Sequence, residues 1–84
     1  MKVMDKIIRN TKELGEALRR ARTDKDLRQI DVAKKASVRQ ALVSDLENKT
    51  TTIKLDTLLK VLTTLNMDLS VMPHRKTEFD PTEY

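Results

Sequence analysis

The sequence predicts a small all-α domain of four to five short helices, followed by one short β-strand. Three observations support this fold class. Apolar residues recur at helical spacing through most of the 84-residue chain. Only the stretch "MDLSVMP" near the C-terminus alternates as a strand does. The chain is 38% hydrophobic with one Phe and one Tyr, so a single core of aliphatic side chains is expected.

The first predicted helix begins at Thr11, where Asn10 and Glu13 have the spacing of a capping box. Its apolar residues follow an i, i+3, i+4, i+7 pattern, which places them on one face. They are Leu14, Ala17, Leu18 and Ala21. Its basic residues are expected on the other faces: Lys12, Arg19, Arg20 and Arg22.

Three further helices are predicted from apolar clusters separated by polar breaks. The second carries Ile30, Val32 and Ala33, and the third carries Leu42, Val43 and Leu46. Only "KKASVR" joins these two, so a tight turn and a steep crossing are expected. The fourth carries Leu55, Leu58, Leu59, Val61, Leu62 and Leu65. Most of these helices are too short to be stable alone, so they must stabilise one another by packing. Gly15 is the only glycine, and every turn therefore uses other residues.

The predicted strand covers residues 67–72, with Met67, Leu69 and Val71 on one face and Pro73 after it. A lone strand needs a partner for its backbone N–H and C=O groups. The partner is either the N-terminal segment or the same strand of a second chain, and we favour the second chain. The resulting division is an N-terminal arm with a possible short strand (1–10), a helical domain (11–66), a dimerisation strand (67–72) and a flexible tail (73–84).

Charge and composition exclude several classes of function. The net charge is +4. The tail from Pro73 has two Lys or Arg against three Asp or Glu, which leaves fifteen against ten in the body. A basic body indicates a polyanionic partner, either nucleic acid or a membrane surface. No cysteine and a single histidine, His74, do not supply a metal-ligand set. We expect a cytoplasmic protein that is not an enzyme, with no cofactor, no small-molecule substrate and no membrane span.

The stretch "LRQIDVAKKASVRQALVSDLEN" resembles the helix-turn-helix of the phage-repressor-like (Cro/C1, XRE) family. The matching places are Leu27, Arg28–Gln29, Val32–Ala33, Ser37–Val38, Val43–Ser44 and Glu47–Asn48. The resemblance implies a compact four- to five-helix helix-turn-helix domain that binds double-stranded DNA, and hence association with the nucleoid. The chain departs from the family pattern at two places. Ser37 stands where the family usually has a glycine with positive φ, and Arg28 replaces the usual Ser or Thr N-cap of the second helix.

The resemblance assigns two groups of DNA contacts. Base readout is expected from the outward arc of the third helix, which fits the major groove: Arg39, Gln40, Ala41, Ser44 and Asp45. Phosphate contacts are expected at the start of the second helix and at nearby basic residues: Gln29, Arg28, Lys34, Lys35 and Lys49. Leu46 and Glu47 are expected to be structural and to anchor the third helix.

The strand after the fourth helix, together with the short polar tail, resembles the HipB antitoxins. That resemblance implies a homodimer on an inverted-repeat operator, which represses its own operon and binds a HipA-type serine/threonine kinase toxin. Met67, Leu69 and Val71 would form the subunit contact. The tail is either disordered or docks on the toxin through Phe79 or Tyr84. Two alternatives stay open. One is a regulator without a toxin, such as a phage repressor or a restriction–modification controller, and the other is a protein-interaction adaptor.

Overall fold

A computed structural model describes residues 7–48 and 52–74 of the chain, and all regular secondary structure within them is helical. The third helix packs against the first two, and the fourth packs against the second. The predicted all-α fold and its four helices are therefore confirmed. The helices are α1 (Thr11–Asp24), α2 (Gln29–Ala36), α3 (Gln40–Asn48) and α4 (Leu55–Thr64).

The core is aliphatic and receives side chains from all four helices. Its buried residues are Leu18, Val32, Ala33, Ala36, Val43, Leu46, Val61, Leu62 and Leu65. Partly buried apolar residues, among them Leu14, Ala21 and Leu42, pack around them. None of the described helices is both long enough and apolar enough to cross a membrane.

Helix α1 begins at the predicted cap. The backbone N–H of Glu13 donates to the Asn10 side-chain oxygen at 2.8 Å. The Glu13 carboxylate in turn accepts from the backbone N–H of Arg9 at 2.8 Å. The first bond satisfies an N–H donor that the first turn of a helix leaves without a partner, and the second holds the residue before the cap.

Three helices are followed by a residue in the left-handed backbone conformation. Glycine is the usual residue in this conformation, but none of the three is glycine. Asp26, Ser37 and Asn66 have φ angles of 57°, 59° and 57°. The residue after each is apolar, and its N–H returns to a carbonyl five residues earlier, as in a Schellman motif. These bonds are Leu27 N to Arg22 O (3.1 Å), Val38 N to Ala33 O (2.9 Å) and Met67 N to Leu62 O (2.9 Å).

The single glycine lies where α1 crosses α3. Gly15 is buried. A Cβ atom at this position would overlap the carbonyl oxygen of Leu46 and would lie 3.0 Å from that of Glu47. Both obstacles are backbone atoms, so the two helices would have to separate to admit even a methyl group.

The predicted C-terminal strand is not formed within this single chain. Residues 67–74 and 7–9 have no regular secondary structure. Leu69 and Val71 are exposed, at 54% and 94% of their surface. A strand requires a neighbouring strand, and the described part of one subunit offers none, so pairing with a second chain stays a prediction.

Candidate nucleic-acid interface

The turn between α2 and α3 sets the position of both helices. Three residues, 37–39, separate them. Ser37 keeps the positive φ that the family pattern assigns to glycine, at a cost on the order of 1 kcal/mol for a residue with a Cβ. Val38 is partly buried and packs against the core. The predicted tight turn is therefore confirmed, and it is built without glycine.

The expected base-reading residues lie together at the start and along one side of α3. Gln40 and Ala41 in its first turn are exposed, and so is Arg39 just before them. Ser44 and Asp45, one turn later, are partly exposed. Val43 and Leu46 point the opposite way and are buried in the core. The helix thus separates an apolar side from a polar side.

Arg39 was expected on the outward arc of α3, but it lies just before the helix, which begins at Gln40. It occupies the residue before the first turn, where its carbonyl accepts from the N–H groups of Leu42 and Val43 at 3.0 and 3.4 Å. Its side chain is exposed beside Gln40. Arg39 therefore stands immediately before the first residue of α3, with an exposed side chain.

Asn48 extends the polar side of α3 by one turn, which the sequence analysis did not foresee. Its side-chain amide donates to the Ser44 carbonyl at 3.0 Å. The residue is exposed. The i, i+4 spacing from Ser44 is the signal that was missed, because residues four apart share a helix face.

A nearly buried ion pair fixes the rear of α3 to α1. Arg22 donates to Glu47 through Nε at 2.6 Å and through Nη2 at 3.0 Å. Their side chains are 13% and 2% exposed. Arg22 also donates to the Leu27 carbonyl at 2.8 Å. The hydrogen bonds with Glu47 raise the pKa of Arg22, against the opposing effect of burial. The expected anchoring role of Glu47 is confirmed.

Arg22 is the partner that the sequence analysis missed, since it was placed among the solvent-facing basic residues. The helical pattern around Arg22 could not indicate this ion pair, because Glu47 lies 25 residues away in the sequence.

Gln29, an expected phosphate contact, joins this same network. Its side-chain amide donates to Glu47 Oε1 at 3.2 Å, and the residue is partly exposed. The Gln29 backbone N–H lies in the first turn of α2, where helical N–H groups lack a carbonyl one turn earlier. A phosphate contact by Gln29 would therefore use a side chain whose position is set by Glu47.

Arg28 and Asp31 form a compact pair at the start of α2. The Asp31 carboxylate accepts from the Arg28 backbone N–H at 2.8 Å. It also accepts from the guanidinium Nε at 3.1 Å and Nη2 at 3.0 Å. These hydrogen bonds, the side-chain ones first, lower the pKa of Asp31 to about 2. Arg28 gives no side-chain cap to the helix, as expected from its identity.

Of the remaining residues expected to contact DNA or the toxin, some are exposed and the others lie outside the residues that the structure describes. Lys34 and Lys35 are exposed in the last turn of α2, shortly before the turn that leads to Arg39. Lys49, expected at a phosphate, and the expected toxin contacts Phe79 and Tyr84 lie outside the described residues.

The residues expected at a subunit contact differ in their surroundings. Met67 packs against the core of its own domain. Leu69, Val71 and Met72 are exposed. In α4, Leu55 and Leu59 are also exposed and stand four residues apart, on one face of the helix.

Comparison with protein families gives one match to a family model. The model is that of the helix-turn-helix family, and it matches residues 18–72. No curated protein sequence matches this chain.

Comparison with solved structures gives strong matches over most of the chain. A HipB–O4 20mer complex has a TM-score of 0.77 at 25% identity, covering 84% of this chain and 100% of that one. A HipA–HipB–O2–O3 complex gives the same values. The restriction–modification controller protein C.AhdI from Aeromonas hydrophila has a TM-score of 0.65 at 28% identity, covering 69% of this chain and 88% of that one.

Proposed function

The chain belongs to the XRE-type helix-turn-helix family and is HipB-like in structure, and on that premise we propose that it is a sequence-specific DNA-binding repressor acting as a homodimer. One observation carries the proposal. The polar residues Arg39 and Gln40, with Ala41 next to them, are exposed at the start of a short helix whose rear is fixed by an ion pair. A rigid, outward polar helix end is what major-groove readout requires.

Each exposed residue has a role that its chemistry supports. Gln40 can accept from the adenine amino group and donate to the ring nitrogen, and Ala41 can contact a thymine methyl. Arg39 can donate two hydrogen bonds to a guanine or bind a phosphate. Ser44 can bond to several base edges, whereas Asp45 can accept from a cytosine amino group or hold a basic side chain in place.

Contacts to the DNA backbone would come from the two ends of α2. Gln29 and Arg28 stand at its start, and Lys34 and Lys35 stand in its last turn. We assign all four to DNA phosphates, together with Lys49. Such contacts position the protein on the duplex and do not depend on base sequence.

A gel-shift series tests DNA binding directly. The chain is titrated against overlapping duplexes from upstream of its own gene and against a scrambled duplex, at about 50 mM and about 200 mM salt. We expect one upstream duplex to be preferred and all affinities to fall with salt. Absence of binding to every duplex at both salt concentrations would favour the adaptor alternative.

The homodimer is supported by apolar surface that one subunit leaves uncovered. Leu55, Leu59, Leu69, Val71 and Met72 are large apolar residues exposed in the last third of the described chain. A second copy could cover this surface and pair the 67–72 segment as a strand. A two-fold dimer would read half-sites about one helical turn apart.

We further propose that the partner in the cell is a HipA-type kinase toxin, so that the chain acts as an antitoxin. The support is the likeness to HipB in a structure that also contains HipA. Purification of the tagged chain from its native host, followed by identification of bound proteins, tests this. A co-purifying kinase is the expected result.

A controller without a toxin is the second candidate. The observation that favours it is the 28% identity to the C.AhdI controller over 69% of this chain. Operator binding without a co-purifying kinase would select this alternative.

A further inference from the structure

The Arg28 guanidinium already binds the Asp31 carboxylate in the geometry in which it would bind a phosphate. Its Nε and Nη2 donate to the two oxygens of Asp31 at 3.1 and 3.0 Å. This two-pronged geometry is the one that arginine uses for carboxylates and phosphates alike. Those two donors cannot serve Asp31 and a DNA phosphate in the same geometry at once.

The two members of the pair are held unequally. The Arg28 side chain is 76% exposed, against 29% for Asp31. The Asp31 carboxylate is additionally held by the Arg28 backbone N–H at 2.8 Å. The carboxylate is therefore a fixed negative charge at the start of α2, while the guanidinium is accessible and can be drawn away by a polyanion.

A surface ion pair of this kind is weak enough for a competitor to open. The lowered pKa of Asp31, to about 2, keeps the carboxylate charged at neutral pH. A phosphate that takes the Nε and Nη2 donors of Arg28 must displace Asp31, and one that binds on the Nη1 side must remain close to the negative charge of Asp31. The charge of Lys34, one turn along α2, also interacts with the Asp31 carboxylate and helps to lower its pKa.

We infer that Asp31 is an intramolecular competitor of DNA phosphate for Arg28 and thereby limits the sequence-independent part of the DNA affinity. The inference rests on the proposed function, since it concerns how strongly the same interface binds DNA. Asp31 touches neither base nor phosphate in this role. It acts through Arg28 and lowers the contribution of one backbone contact.

The test uses Asp31→Asn, which removes the charge but keeps an oxygen that can accept from the Arg28 backbone N–H. Asp56→Asn is the matched control, because it removes one carboxylate from the first turn of a different helix, α4. Each change is made alone and together with Arg28→Ala. Binding is measured by fluorescence anisotropy on the upstream duplex and on a scrambled duplex over a series of salt concentrations, and folding is checked by circular dichroism.

We expect Asp31→Asn to tighten binding to both duplexes about fivefold at low salt and to steepen the salt dependence by a fraction of about 0.9, the value of one full phosphate contact. In the Arg28→Ala background the gain should fall below about twofold, leaving only the effect on Lys34. Asp56→Asn should change neither quantity appreciably.

Two results would overturn the inference alone: unchanged or weaker binding of a folded Asp31→Asn variant, or the same gain when Arg28 is absent. Failure of the unmodified chain to bind either duplex would instead overturn the proposed function, and this inference with it.

Discussion

The Arg22 guanidinium and the Glu47 carboxylate face each other through two hydrogen bonds, of 2.6 and 3.0 Å, between the last turn of α1 and the last turn of α3. Because the Glu47 side chain is almost fully buried, neither water nor another cation can readily replace Arg22. The orientation of α3 therefore depends on a residue two helices earlier in the chain.

Loss of Glu47 should destabilise the fold strongly. Glu47→Ala leaves the Arg22 charge nearly buried without its carboxylate, and we expect the free energy of unfolding to fall by about 3 kcal/mol. Urea denaturation measures this. Glu16→Ala, on the exposed side of α1, is the control and should change stability by less than about 0.5 kcal/mol. Equal effects of the two substitutions would remove the anchoring role from Glu47.

Glycine at the turn should stabilise the protein. Ser37 has a φ of 59°, and Ser37→Gly relieves the Cβ strain at some entropic cost, so we expect a gain of about 0.5–1 kcal/mol in the free energy of unfolding. The same substitution at Ser44, inside α3, should instead cost about 0.5–1 kcal/mol. Thermal and urea denaturation of the two variants should therefore shift in opposite directions.

Gln40 should contribute to base preference. Gln40→Ala is expected to weaken binding to the preferred upstream duplex by about 1–3 kcal/mol and to relax the preference at one base pair. Competition with duplexes substituted at single positions measures both effects. An equal loss on scrambled DNA would assign Gln40 to the DNA backbone.

Lys34 and Lys35 should contribute only electrostatically. Replacing either with Ala is expected to weaken binding evenly across sequences and to flatten the dependence of log K on log salt by about 0.9. Lys60→Ala, which removes an exposed charge from α4, serves as the control. A slope identical to that of the unmodified chain would place the substituted lysine outside the interface.

Leu69 should be required for dimer formation. Leu69→Asp introduces a charge into the proposed shared strand and should give monomers in sedimentation at concentrations where the unmodified chain is dimeric. Ser70→Asp is the matched control, because neighbouring residues of a strand point to opposite faces. Dimers that persist in Leu69→Asp would place the subunit contact elsewhere.

Helical periodicity was sufficient to predict the four helices, because each buries a stripe of aliphatic side chains against the others. The Asn10 cap and the Ser37 turn were also predictable, since both depend on interactions within a few residues. The polar side of α3 followed from the same periodicity, and Gln40 and Ala41 lie where it was expected.

Features that depend on contacts between distant residues could not be predicted in this way. The pairing of Arg22 with Glu47 joins residues 25 positions apart, and the helical pattern placed Arg22 among surface residues. The need for glycine at position 15 arises only from the backbone of α3. The 67–72 segment has the pattern of a strand, but strand formation depends on a partner strand, and residues 7–48 and 52–74 contain none.

The close approach at Gly15 has a consequence for how this protein can evolve. Gly15 is buried and sets the distance between the axes of α1 and α3, and through it the position of α3 on the domain. A single added methyl group there would displace α3 and all its exposed side chains together. Under the proposed function, changes of operator should therefore accumulate by exchange of the exposed side chains of α3 while the scaffold beneath stays constant.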